Sequence, residues 1–142
     1  MGIIWGLVIT ALALLAWGGQ TLSLFAPRMA ERLSLTEVED EVEPAFHADG
    51  RGEALWDFLT LWTLLVAGVL LVFDAAAWPY FGLVGGAFYV YFAGRGVLTR
   101  RELQRRDLRA GSEANLKNAY IMLPVWGVAG LITVVAAIVA VS

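Results

Sequence analysis

Four stretches of this chain are apolar at nearly every position, and the polar residues between them collect in two blocks. The apolar runs cover 3–25, 54–73, 78–98 and 119–141. Each is close to the roughly 20 residues that an α-helix, rising about 1.5 Å per residue, needs to cross the hydrocarbon of a bilayer. Strands do not fit, because a membrane strand alternates apolar and polar positions and these runs do not. Only Asp74–Ala77 separates the second run from the third, which predicts a tight helical hairpin. Pro79 suits the first turn of the third helix, where no backbone N–H is needed. The expected fold is an all-α membrane protein: a compact bundle of four transmembrane helices, one domain over 1–142, with loops at 27–53 and 99–118.

Within each run the small residues recur on one side. At 100° per residue, Gly82, Gly85, Gly86, Tyr89, Ala93 and Gly96 share a face of the third helix, opposite Phe81, Phe88, Tyr91, Phe92 and Arg95. The first helix gathers Gly6, Thr10, Ala13, Ala16, Gln20 and Ser23, and the second Asp57, Thr60, Thr63, Ala67 and Gly68. On the fourth, Ala129, Gly130 and Thr133 continue a face that begins at Asn115 and Asn118 and includes Met122 and Trp126. In lipid there is no hydrophobic drive between helices, so association depends on close backbone approach at small residues. The predicted packing seam is therefore Gly82, Gly85, Gly86 and Ala93 against Ala129, Gly130 and Thr133. The bulky rings are left to the hydrocarbon, and a wide aqueous pore is not expected.

Composition agrees. With 59% hydrophobic and 16% charged residues in 142, the chain exposes too much apolar surface for a soluble domain of its size. All ten basic residues fall in the two longer loops or, for Arg95, just inside the adjoining helix end. The positive-inside rule then puts those loops in the cytoplasm and both termini outside. Nine arginines to one lysine suit a GC-rich bacterium, so the expected location is the bacterial plasma membrane. The first run lacks a basic leader and is longer than a signal-peptide core, so it reads as a retained helix.

The first loop is acidic despite its arginines. "TEVE" (Thr36–Glu39) has capping-box spacing and predicts a short helix before Pro44. "ADGRG" (Ala48–Gly52) reads as a turn into the second span, and the loop as a solvated segment over the bundle. In the second polar block the third helix should run on beyond the membrane, with Gly111 as its cap and Ser112 starting the fourth. Arg100, Arg101, Arg105, Arg106 and Arg109 are expected at anionic headgroups, worth about 1 kcal/mol each near the surface.

Candidate chemistry is sparse. Cysteine is absent, which excludes disulfides and thiolate chemistry, and His47 is the single histidine. No ionisable residue falls at mid-span, where one would signal ion or proton transfer; Asp57 and Arg95 lie near the basic ends of their helices and Asp74 at the hairpin. Arg95 reads as an interfacial arginine packing its stem on Tyr91 and Phe92, with an ion pair to Asp57 or an anionic ligand as alternatives. The set left for ligand binding is Gln20, Asp57, Thr60, Tyr91, Arg95 and Asn118, with Asn115 and Tyr120 nearby. Trp5 and Trp78 at one interface and Trp56 at the other read as anchors; Trp17, Trp62 and Trp126 lie deeper. No nucleophile–base pair, phosphate loop or metal-ligand spacing is present, so neither catalysis nor a cofactor or metal is expected.

The stretches "AWGGQTLSLFAPRMAERLSLTE", "RGEALWDFLTLWTLLVAGVLL" and "WPYFGLVGGAFYVYFAGRG" together resemble the BphX-like small bacterial integral membrane proteins, over nearly the whole chain. The resemblance implies a four-span inner-membrane protein with a distant connection to aromatic compounds, and it carries no site residues. The leading functional expectation is a non-enzymatic accessory or scaffold subunit. The alternative is a carrier or binder of small apolar or aromatic molecules in a cavity between helices, as a monomer or homodimer. Expected partners are the lipid bilayer and another membrane protein or a second copy of the chain, not nucleic acid.

Overall fold

A computed structural model describes residues 2–142. Helix α1 (Gly2–Phe25) leads into a short α2 (Pro27–Arg32) and a 3-10 turn at Glu39–Glu41. Then come α3 (Pro44–Thr60), α4 (Trp62–Val72), α5 (Trp78–Arg105) and α6 (Glu113–Val141). Leu61 N–H still donates to the Asp57 carbonyl at 2.8 Å, so α3 and α4 form one rod with a slight break. Four rods are thus long and apolar enough to cross a membrane: α1, α3–α4, α5 and α6. No strand occurs among the described residues; one isolated bridge joins Val42 to Ala110.

The rods pack in the order α1, α4, α5, α6, and glycine brings backbones together at each seam. A Cβ on Gly68 of α4 would sit 2.9 Å from the Gly6 carbonyl oxygen of α1, and one on Gly85 of α5 only 2.4 Å from the Leu64 nitrogen of α4. One on Gly86 would lie 2.6 Å from the Gly130 carbonyl oxygen of α6. These separations leave no room for a side chain, as close packing in lipid requires. Every seam residue expected on α5 and α6 is buried: Gly82, Gly85, Gly86, Ala93, Ala129, Gly130 and Thr133. Phe92, expected at the lipid face, is buried with them. Being the rod between α4 and α6, α5 covers two neighbours, so its buried arc is wider than the glycine stripe.

The fourth seam differs. Gly18 and Gly19 of α1 have no neighbouring atom within 4 Å of where a Cβ would stand. What joins α1 to α6 is Trp126, whose indole Nε1 donates to the Leu12 carbonyl at 2.9 Å. Of the small-residue stripes read from the sequence, that of α1 is closed against α4 at Gly6 and leaves an opening toward α6 farther along. Gly2 lies against Leu71, and Gly82 against Ala137, so both chain ends flank the α4–α5 hairpin and the arginines crowd the opposite end.

Three helix ends share one device. Ser34, Asp74 and Asp107 take left-handed conformations at φ of 55°, 52° and 56°. The next amide reaches back to Ala30, Leu70 and Leu103 carbonyls respectively, each at 2.9 Å, which is the Schellman arrangement. Asp107 therefore ends α5, not Gly111. Gly111 (φ 116°) turns the chain into Ser112, whose Oγ caps α6 by accepting from Asn115 N–H at 3.2 Å.

"ADGRG" is not a turn. The second membrane rod begins at Pro44, ten residues before the apolar run, and carries Gly50 and Gly52 inside a helix. Two glycines cost about 2 kcal/mol of helix propensity against alanine, and tertiary contacts of the same segment offset it. Arg51 donates to the Ser23 and Leu24 carbonyls at the end of α1, where a cation is favoured. Asp49 and Glu53, one turn apart, both bind Arg95 of α5. The short helix expected before Pro44 is a single 3-10 turn, Glu39–Glu41, and its N-cap is Val38, not Thr36.

Candidate functional site: a cavity at the basic end

Where α1 and α6 diverge, a partly enclosed cavity of about 450 Å³ opens toward the basic end. Its walls follow from helix periodicity. Ala16, Gly19, Gln20 and Ser23 line it from α1, spaced at three and four residues; Phe46, His47, Gly50, Glu53 and Ala54 from α3; Phe92, Gly96 and Arg100 from α5. Asn115, Asn118, Ala119, Met122, Leu123 and Trp126 come from α6, and the Leu33–Glu37 segment closes over the top. The deep part is apolar and aromatic, with Phe92 and Trp126 rings 5.9 Å apart. The rim is amide, carboxylate and guanidinium.

The rim arginines are already committed. Arg100 pairs with Glu37, donates to the Gly96 carbonyl at 3.0 Å and stands 5.4 Å over the Phe46 ring. Arg51 is spent on α1 carbonyls, and Arg95, just outside, on Asp49 at 2.5 Å and on Glu53. Outside the membrane segments the two basic-end loops are stitched together. Glu43 N–H donates to the Arg109 carbonyl at 2.9 Å, and Glu43 Oε1 accepts from Arg109 N–H at 3.0 Å. Arg109 Nη1 donates to the Asp40 carbonyl at 2.8 Å. The Arg109 backbone N–H holds the Glu43 carboxyl below the ordinary glutamate range, outweighing a smaller desolvation effect, and the Arg109 side chain and charge add to it.

The structure divides the expected ligand set. Gln20 and Asn118, with Asn115, face the cavity. Asp57 lies one helical turn below its α3 wall, 3% exposed, and its Oδ2 has no hydrogen-bond partner. Thr60 is buried and bonded to the Trp56 carbonyl of its own helix at 2.8 Å. Tyr91 is exposed on the outer face of α5. Arg95 does not pair with Asp57, because the helical segment 44–53 presents two nearer carboxylates. Among the arginines expected at headgroups, Arg100 turns inward and Arg109 belongs to the loop stitch; Arg105 and Arg106 remain largely exposed beside Glu102, as does Arg101.

Residues not singled out for the cavity include Phe46, Arg51, Glu37 and Trp126. Phe46 and Arg51 were hidden by reading Ala48–Gly52 as a turn; as helix, Phe46/His47, Gly50 and Glu53/Ala54 fall in one stripe. Trp126 already lay on the expected face of α6, at the position that bridges to α1. No family model, curated protein or solved structure matches this chain.

Proposed function

We propose that the protein binds a small, largely apolar molecule in this cavity, as a four-span protein of the bacterial plasma membrane with its basic end in the cytoplasm. The observation that carries the reading is the space itself. At about 450 Å³ it falls within the size range of ligand pockets, roughly 300–1,000 Å³. It has an apolar floor and a few converging polar groups, as such sites do. A scaffold subunit needs no such space, and three seams that close on glycine indicate that this sequence closes helices where closure is called for. A groove along Leu14, Gly18 and Leu22 adjoins the cavity through Leu15, Gly19 and Leu35, giving a path from the lipid-facing side of α1.

The test uses the protein in lipid nanodiscs and the neutral dye N-phenyl-1-naphthylamine. Saturable binding is expected, abolished by Gly19→Leu, which fills the cavity, and retained in Gly52→Leu, which points into open space elsewhere. Equal, non-saturable uptake by all three proteins would overturn the reading.

A further inference from the structure

Asp57 is the feature that cavity binding alone leaves unexplained. It continues the α3 stripe that lines the cavity, following Gly50, Glu53 and Ala54 at helical spacing. It is 97% buried, yet one carboxylate oxygen meets no donor. An unpaired buried carboxylate oxygen costs several kcal/mol in an apolar interior, so such groups are held for a partner. The charged or titratable groups near enough to interact are Glu53 on its own helix and Arg95 and Tyr89 on α5. None supplies that partner. Glu53 repels, Arg95 is held by Asp49 and Glu53, and the Tyr89 hydroxyl donates to the Ala13 carbonyl at 3.3 Å. Helices α1, α4 and the membrane part of α6 bring no charge to this level.

We infer that the cavity takes an organic cation, with Asp57 as its counter-charge. The inference rests on the binding reading above and names the ligand class. Arg100 and, just outside, Arg95 are paired with carboxylates, and Arg51 is bonded to α1 carbonyls. The lining sets the carboxylates Glu31, Glu37 and Glu53 against the guanidiniums Arg51 and Arg100, and neither Asp57 nor Glu31 has a salt-bridge partner among the described residues. The unbalanced charge of the site is negative. Phe92 and Trp126 line the cavity with their rings tilted at 58° and centroids 5.9 Å apart, and Tyr89 meets the Phe92 ring edge-on at 6.2 Å. Aromatic faces beside a carboxylate suit a monovalent ammonium or phosphonium group carrying apolar substituents, through cation–π attraction and a desolvated ion pair. A metal ion suits them poorly: among the described residues no group of three His, Asp or Glu side chains could hold one.

The experiment compares benzyltrimethylammonium with its uncharged carbon isostere, neopentylbenzene, by equilibrium binding to the protein in nanodiscs of neutral lipid. The cation is expected to bind at least tenfold more tightly. Asp57→Asn should remove that preference and leave the isostere unchanged. Should Asp57→Asn not fold, Phe92→Leu, which keeps apolar volume and loses the ring, is expected to weaken the cation several-fold and not the isostere. If both probes bind equally, and neither substitution distinguishes them, the cation proposal is overturned while cavity binding survives. If neither probe displaces N-phenyl-1-naphthylamine from wild type, and the dye itself does not saturate, cavity binding falls and this inference with it.

Discussion

The two ends of the bundle are built from the same rods by opposite means. Toward the hairpin, glycine sets the spacing: Gly6 against Gly68, Gly85 against Leu64, Gly86 against Gly130. Toward the basic end, long charged side chains set it. Arg95 reaches Asp49 and Glu53, Arg100 reaches Glu37, and Arg51 reaches the last carbonyls of α1. A backbone contact fixes two helices at one distance, and nothing fits between. A bridge of two long side chains holds helices apart and leaves volume beside it. The cavity lies at the second kind of end, on the one side where α1 and α6 share no glycine contact.

The sharpest way to break this contrast is to add one carbon at each end. At Gly85 the new Cβ would meet backbone atoms of Leu64 at 2.4 Å and 2.6 Å, which cannot swing aside as a side-chain tip can. Gly85→Ala is expected to lose about 3 kcal/mol, the upper part of the usual overpacking range. Gly19→Ala, with open space around it, should lose nothing and gain roughly 0.5–1 kcal/mol from helix propensity. Reversible unfolding in mixed micelles measures both. Equal effects would mean that the seams are not set by backbone contact.

The hairpin end was legible in the sequence because one rule governs it. In lipid, small residues mark contact, and every residue of the expected α5–α6 seam is buried. The basic end was not legible, because competing rules meet there. Glycine punctuation and aspartate at 48–52 favour a turn, whereas Pro44 in the first turn and the charge pairing of Asp49, Arg51 and Glu53 favour a helix, and the helix wins. With ten residues misassigned, the partners of Arg95 could not be found: Asp57 was the visible acid, but Asp49 and Glu53 present themselves to α5 only when that segment is helical. Gln20 and Asn118 were legible as cavity residues from their small-residue faces; Arg100 was not, since only the folded loop brings Glu37 and Phe46 to it.

That helical extension can be tested by a milder change. Gly50 and Gly52 have no atoms within 4 Å of a Cβ position and ordinary helical backbone. Gly52→Ala and Gly50→Ala are each expected to raise stability by about 0.5–1 kcal/mol, as glycine-to-alanine changes do inside helices. Were the segment a glycine turn with left-handed backbone, both substitutions would destabilise instead. Unfolding of the same micellar protein gives the sign directly, and the sign is what decides.

The smallest effect concerns the stitch between the two loops that roof the cavity end. Glu43 precedes α3, accepts from the Arg109 amide at 3.0 Å and lies next to the Val42–Ala110 bridge. Because Arg109 depresses the Glu43 carboxyl in the folded protein, the contact stabilises the fold fully above the ordinary glutamate value of 4.5. It is lost only as pH falls through the lower, folded value; nothing should change between pH 6 and 8. The Arg109 amide resonance reports this without interference from the membrane rods. Its shift should titrate with a midpoint below 4.5 in wild type and show no such step in Glu43→Gln. A midpoint at or above that value would mean that the Glu43 carboxylate does not join the loops, leaving the backbone bonds about the Val42–Ala110 bridge and the Arg109–Asp40 contact to hold them.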